Sequence, residues 1–261
     1  MSPTGDVPEA AAVGFDRQAA SYAAVRPSYP PAAIEVLRHE LGLAPGSRIC
    51  DLAAGTGIYT RLLRDAGYDV VAVEPVAGMR RELVASTEGV EVVEGTAESM
   101  PLPDDSVDAV TVAQGFHWFD AGPALREVRR ALRSRGGLEL VWNVRDESVD
   151  WVRGLTDLIH DRSGGRPYHD HREFEWADVV AAAEGFTALR ARRVPNPVLA
   201  SPATVVERVR STSFVAAMPP DAMAELLDDV ATFVAEHPQT RGLDSFTYPH
   251  ETAIYWCRRA D

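Results

Sequence analysis

Two carboxylates and two glycines are spaced so that they could hold a nucleotide-like ligand. Asp51 lies in the apolar run Ile49-Cys50-Asp51-Leu52, Gly55 and Gly57 follow in a small-residue turn, and Glu74 closes the next apolar run, Val70 to Val73. Glycines at such a turn allow backbone angles closed to other residues and let a ligand approach the main chain. Beyond Gly57, residues Ile58, Leu62 and Leu63 share one helical face, so the spacing predicts strand, tight turn, helix. The start of that helix offers unpaired N–H groups and a partial positive charge. Glu74, about twenty residues beyond Asp51, is placed to accept hydrogen bonds from a ribose diol.

The details of the turn separate two ligand classes. A dinucleotide site would place a third glycine where Thr60 stands, and a pyrophosphate would be repelled by Asp51. A cationic ligand group explains Asp51 better. S-adenosyl-L-methionine (SAM) has an α-ammonium, a sulfonium and a ribose and carries no phosphate, so it suits a turn flanked by acids.

A second group follows in Gln114-Gly115-Phe116-His117-Trp118-Phe119. A sulfonium methyl is a soft cation, and aromatic faces attract such groups by roughly 0.5 to 2 kcal/mol. His117 is the candidate general base, since an unperturbed imidazole titrates near pH ~6.5. With a carboxylate acceptor no base is needed, and His117 would only orient it. His169 and His171 with Asp170 lack a further set of ligands at metal spacing, so no metal is expected. His171 is a second candidate base in a loop. Arg26, Arg145, Arg166 and Arg172 are candidates for gripping an acidic substrate through paired hydrogen bonds.

These residues sit in a chain that resembles the class I SAM-dependent methyltransferases, in the small-molecule branch that includes trans-aconitate-type enzymes. The resemblance rests on ICDLAAGTG, AVEP, EGTAESMPLPDDSVDAV and AQGFHWFD, with SYAAVRPSYP near the start. It implies that Asp51, Ala53, Gly55 and Gly57 surround the methionine part of SAM and that Glu74 holds the ribose. It implies too that Met79 packs on the adenine, that Thr96, Ala97 and Glu98 line the adenine edge, and that Gln114 lies near the methionine. Ala53 replaces the first glycine of many relatives, and Thr96 an aspartate. In the family the N-terminal region folds over the cofactor, so Tyr22, Arg26 and Tyr29 become candidates for closing the site. Phe116, Trp118, Trp142 and Asn143 then face the acceptor with Tyr29 and His171. The expected product is S-adenosyl-L-homocysteine (SAH).

The elements that must position these groups alternate strand and helix, the pattern of right-handed βαβ units on a parallel sheet. Strands are expected near 47–52, 69–74, 90–94, 107–113 and 137–142. Helices are expected near 57–66, 76–86 and 123–134, the last ended by Gly136-Gly137. Ahead of them, a short helix over 15–25 and a helix from Pro30 or Pro31 to Leu41, stopped by Gly42, are expected. From Asp150 the pattern turns helical, with segments near 172–184, 202–214 and 220–236 around a strand at 186–194, and Phe246 to Cys257 reads as one long strand. The expected fold is α/β and Rossmann-like, a mostly parallel seven-stranded sheet with helices on both faces, an antiparallel addition and a helical cap. Its organisation would be a cofactor-covering segment over 1–45, a SAM-binding core over 46–145, and cap plus closing strands over 146–261.

Composition bounds the partners. The chain has 261 residues, 46% hydrophobic and 25% charged, which is ordinary globular composition. Its net charge of −13 argues against nucleic acid or an anionic membrane and for a small-molecule substrate. No lysine is present, which removes Schiff-base chemistry. Cys50 and Cys257 read as buried reduced thiols, and no leader or membrane span is read, so a cytoplasmic monomer or homodimer is expected. Two alternatives to methyl transfer stay open: a methyltransferase-like protein acting as a pericyclase, isomerase or binding protein, and an NAD-dependent oxidoreductase.

Overall fold

The computed structural model describes residues 26–163 and 176–261. Tyr22 and His171, with the helix expected over 15–25 and Arg166, His169, Asp170 and Arg172, lie outside them. Strands β1 (Arg48–Leu52), β2 (Asp69–Val73), β3 (Glu91–Val93), β4 (Val107–Ala113) and β5 (Leu132–Arg145) form a parallel sheet. Antiparallel strands β6 (Arg190–Pro195) and β9 (His250–Arg258) complete it in the order β3-β2-β1-β4-β5-β9-β6. Strand order reverses beside β1, so the carboxyl ends of β1 and β4 open a crevice between them, where ligands of such sheets bind.

Both faces are covered. Helix α1 (Pro31–Glu35) starts on a proline and runs into a wider π-helical turn over Val36–Glu40, where the Leu41 N–H reaches the Val36 carbonyl at 3.0 Å. This segment and α2 (Ile58–Asp65) bury Val36, Leu37, Tyr59 and Leu63 against Ile49, Ala109, Val141 and Ile254. Helix α3 (Ala77–Ser86) follows β2, and α4 (Ala121–Ala131) lays Leu125 and Val128 on the opposite face, over Val110, Leu138 and Leu140. Burial of some 1.5 to 3 kcal/mol for each large apolar side chain holds these layers together.

A second apolar cluster lies in the C-terminal half. Trp151, Leu155 and Ile159 of α5 (Asp150–Ser163) meet Val205 and Val209 of α7 (Pro202–Arg210) and Leu226, Val230 and Val234 of α9 (Pro220–Glu236). The small α6 (Trp176–Ala182) stays with the sheet through Val180, and α8 (Ser213–Ala216) adds Phe214 and Val215 to the second cluster. A ribbon of β7 (Val198–Ala200) and β8 (Phe246–Tyr248) closes it.

Several boundaries differ from those read in the sequence. The helix expected over 123–134 ends at Ala131, because Leu132 is extended and pairs with Val107, so β5 begins five residues earlier than Gly137. Gly137 serves packing: a side chain there would come within 2.5 Å of Leu41. The final run is two strands in different sheets, broken at Pro249, which has no N–H to continue a ladder. The helix expected over 202–214 stops at Ser211, and β6 starts at Arg190.

Candidate active site

Strand β1 delivers Asp51 into a polar row beneath the crevice. Register aligns Asp51 with Thr111 of β4, and Thr111 with Glu139 of β5, so the three side chains share one face. Helix α2 covers them. Thr60 donates to Asp51 Oδ2 at 2.6 Å, Thr111 to Oδ1 at 3.2 Å, and Tyr59 to Glu139 Oε2 at 2.6 Å. All are buried, and burial raises Asp51 to about 7 and Glu139 to about 8, the threonine and tyrosine hydroxyls opposing that rise. Asp51 is therefore enclosed, and its influence on a ligand would come from charge beneath the turn rather than from contact. Tyr59, Thr60, Thr111 and Glu139 carry no motif of their own; only strand register brings them together.

Above this row lies the turn. Ala53, Gly55 and Gly57 have φ of 55°, 57° and 80°. Gly57 is the N-cap of α2, without a side-chain cap. A side chain at Gly55 would meet nothing within 4 Å, so space opens over its backbone. Glu74, almost wholly buried, bends back to this turn, taking the Gly55 N–H on Oε2 at 2.9 Å and the Val76 N–H on Oε1 at 2.8 Å. Burial lifts its pKa, opposed by those same N–H groups. Each oxygen keeps a further lone pair for a hydroxyl.

The turn after β4 touches the turn after β1. Gln114 also has a left-handed backbone, φ 64°, and a Cβ at Gly115 would stand 3.0 Å from that of Ala53. Left-handed alanine and glutamine cost on the order of 1 to 3 kcal/mol each and persist where surroundings fix them. Here the Gln114 N–H is bound to the Val141 carbonyl at 2.8 Å and its side-chain amide to the Asn143 carbonyl at 3.0 Å.

The remaining expected residues divide. His117 and Trp118 lie half-buried in a short 3₁₀ turn, their rings 5.1 Å apart. Phe116 and Trp142, expected to face the acceptor, are in the core instead, because Phe116 packs on Phe119 and Trp142 lies among the leucines of β5. The Trp142 indole donates to His117 Nδ1 at 3.3 Å. An indole N–H only donates, so Nδ1 must accept, and the proton of the neutral ring sits on Nε2. This arrangement sets up His117 as a donor and works against the base role read for it. Asn143 is likewise committed to structure: its amide nitrogen donates to the Pro27 and Ser28 carbonyls, and its oxygen accepts from Thr252 and Asn196.

Tyr29 stands edge-on to Tyr59 at 5.0 Å, and Arg26 donates to the Ser211 carbonyl at 2.9 Å. Met79, in the first turn of α3, is buried. Thr96 is exposed, Ala97 points into the core, and Glu98 accepts the Asp120 N–H at 3.0 Å, ahead of α4. These last two side chains are therefore spent on packing and on holding the turn before α4.

Open space over Gly55, a buried acid with spare lone pairs and a second buried carboxyl under the turn fit a cationic nucleoside. The fold and this site define a class I methyltransferase that uses SAM. Residues 50–140 match the family described as methyltransferase domain. The chain is 38% identical over 248 residues to an uncharacterized methyltransferase of Mycobacterium tuberculosis, with 95% of each chain covered. It is 30% identical to one of Schizosaccharomyces pombe, over 92% of this chain and 95% of that one. The chain belongs to the SAM-dependent methyltransferase family. Its fold is similar to a phosphoethanolamine N-methyltransferase of Haemonchus contortus solved with SAM, with 15% identity, TM-score 0.56, and coverage of 94% of this chain and 57% of that one. It is similar also to a SAM-dependent methyltransferase of Thermotoga maritima, with 18% identity, TM-score 0.53, and coverage of 95% and 99%.

Proposed function

We propose that the chain transfers a methyl group from SAM by direct displacement to an oxygen, nitrogen or carbon of a small-molecule acceptor, with a small carboxylic acid or natural-product intermediate as the acceptor class. The observation that carries this reading is the Gly55 backbone, open to space on one side and held by Glu74 on the other. When bound, SAM supplies an electrophilic methyl on a sulfonium.

Glu74 accepts the ribose hydroxyls with the lone pairs left by Gly55 and Val76. Asp51 places negative charge under the cationic end, with Ala53, Gly55 and Gly57 as the backbone cradle. Gln114 stands fixed at the methionine side, while Met79, Thr96, Ala97 and Glu98 border the adenine. His117 donates from Nε2 to orient the acceptor, beside the face of Trp118. Rate then comes from proximity and from exclusion of water under the cap rather than from proton transfer. Arg26 and Tyr29 cover the cofactor side, and Trp142 and Asn143 act by positioning.

The organisation we propose is a covering segment over 1–45, a cofactor core over 46–145, and cap plus closing strands over 146–261. Among the described residues, no helix is long and apolar enough to cross a membrane, and no cluster of three or more His, Cys, Asp or Glu could hold a metal. A net charge of −13 supports a cytoplasmic enzyme with a small-molecule partner, neither nucleic acid nor membrane, working as a monomer or homodimer. The test is calorimetric titration with SAM, SAH and NAD. Binding of the first two alone, followed by acceptor-dependent conversion of SAM to SAH, is expected; binding of NAD alone overturns the reading.

A further inference from the structure

At the carboxyl end of β5 the sheet meets the C-terminal helices in a group of cations. Arg145 ends β5, and the sheet register sets it opposite His250, the first residue of β9. From α7, Arg208 reaches the same place: its NH2 lies 2.9 Å from His250 Nε2 and its guanidinium lies over the Tyr248 ring at 4.8 Å. His250 Nδ1 is 2.9 Å from the Tyr248 carbonyl, which only accepts, so Nδ1 carries the proton and Nε2 accepts from Arg208. A neutral histidine thus aims the guanidinium without balancing its charge.

Among the described residues, no carboxylate is ion-paired with Arg145 or Arg208, although their neighbours on the surface are matched, as in Arg210 with Glu207 and Arg193 with Glu251. Arg208 NH1 is buried without a hydrogen-bond partner. Arg26 adds a third guanidinium close by, tied to the Ser211 carbonyl at the end of α7. Crowding and burial show in the protonation: Arg208 is pulled down to about 10, and His250 to about 3 by burial and then by Arg208. A buried guanidinium with an orphan N–H is costly unless something anionic completes it. Arg145 lies at the carboxyl end of β5, the side of the sheet where ligands of such folds bind, two residues beyond Asn143, whose carbonyl accepts from Gln114.

We infer that Arg208 and Arg145, with His250 as the residue that aims Arg208, form the receptor for an anionic group of the methyl acceptor, a carboxylate or a phosphate. The inference rests on the methyl-transfer reading for the identity of the ligand as acceptor; the anion site itself stands on the geometry of these side chains. Arg208 supplies the fork-shaped donor set suited to a two-oxygen anion, and Arg145 supplies charge from the sheet. Tyr248 and His250 keep the guanidinium in one orientation, so little freedom is lost when the anion arrives.

The experiment is calorimetric titration of the full chain, saturated with SAH, with malonate and separately with inorganic phosphate. One of the two is expected to bind, and the preferred one identifies the acceptor's anionic group. Arg208→Gln and Arg145→Gln should each weaken that binding at least about tenfold, with SAH affinity and circular dichroism unchanged. Arg208→Lys should fall between, since it keeps charge without the fork. Binding of neither anion by the native chain overturns the inference, as does equal binding by native chain and both glutamine variants. The titration is repeated without SAH. Failure of SAH to bind at all would then count against methyl transfer while the anion result still decides this site.

Discussion

The indole N–H of Trp142 donates to Nδ1 of His117 at 3.3 Å, and this one contact assigns the tautomer of that histidine. A ring whose Nδ1 is occupied and whose Nε2 carries the proton orients a ligand and takes no proton from it. Asn can also donate from its amide, so His117→Asn is expected to retain most of kcat while His117→Ala loses about ten- to a hundredfold. The native pH profile should lack an imidazole limb near pH ~6.5. Equal inactivation by both substitutions, together with such a limb, would restore the base role.

In the proposed reading, the buried Asp51 responds to the charge of the cofactor. Its carboxyl is held near 7 against an ordinary 3.8, so the folded chain favours the protonated form. That contribution to stability is fully present below the ordinary value and is lost as pH rises through about 7. A cationic ligand favours the ionised form, so SAM should bind more tightly at about pH 8 than at about pH 6 and release a proton near neutrality. Asp51→Asn should flatten this dependence and gain stability over the native chain at the higher pH, by a few kcal/mol. Calorimetry in buffers of different ionisation enthalpy reads the proton directly; identical profiles for both proteins would refute the assignment.

Glu74 holds the turn and, in the proposed reading, the ribose. Glu74→Ala removes the acceptor for the Gly55 and Val76 N–H groups and for the diol, so SAM affinity should fall about ten- to a hundredfold. Glu74→Gln keeps an acceptor oxygen and should fall less. Unchanged affinity in both would remove Glu74 from the cofactor site.

Asn143 joins four segments through one side chain. Its loss in Asn143→Ala leaves the Pro27 carbonyl, the Thr252 hydroxyl and an Asn196 amide N–H short of a partner, at a cost of about 1 to 3 kcal/mol in urea denaturation. Amide exchange should rise around Ser28 more than in β1. A loss confined to acceptor turnover, with stability unchanged, would instead make Asn143 a substrate contact.

Much of this protein was legible in local pattern. Alternating apolar runs and helical faces gave the order of strands and helices, and Asp51, Gly55, Gly57 and Glu74 announced a tight turn between β1 and α2, because backbone angle and strand-end position are local properties. What depended on lateral register was hidden. The row Asp51, Thr111 and Glu139 spans three strands, and nothing in one strand states which residue of the next lies beside it. Phe116, Trp142 and Asn143 have the residue types of a binding site, yet packing turned two of them into core and the third into a tie between segments. Arg208 was one exposed-looking helix arginine among 26 basic residues; burial against Tyr248 and His250 made it different. The sequence by itself determined which backbone could cradle a nucleoside, since that follows from neighbours along the chain. Only the tertiary structure decided which of these side chains are buried and which nitrogen of His117 accepts from Trp142, since burial and hydrogen-bond partners come from residues far apart in sequence.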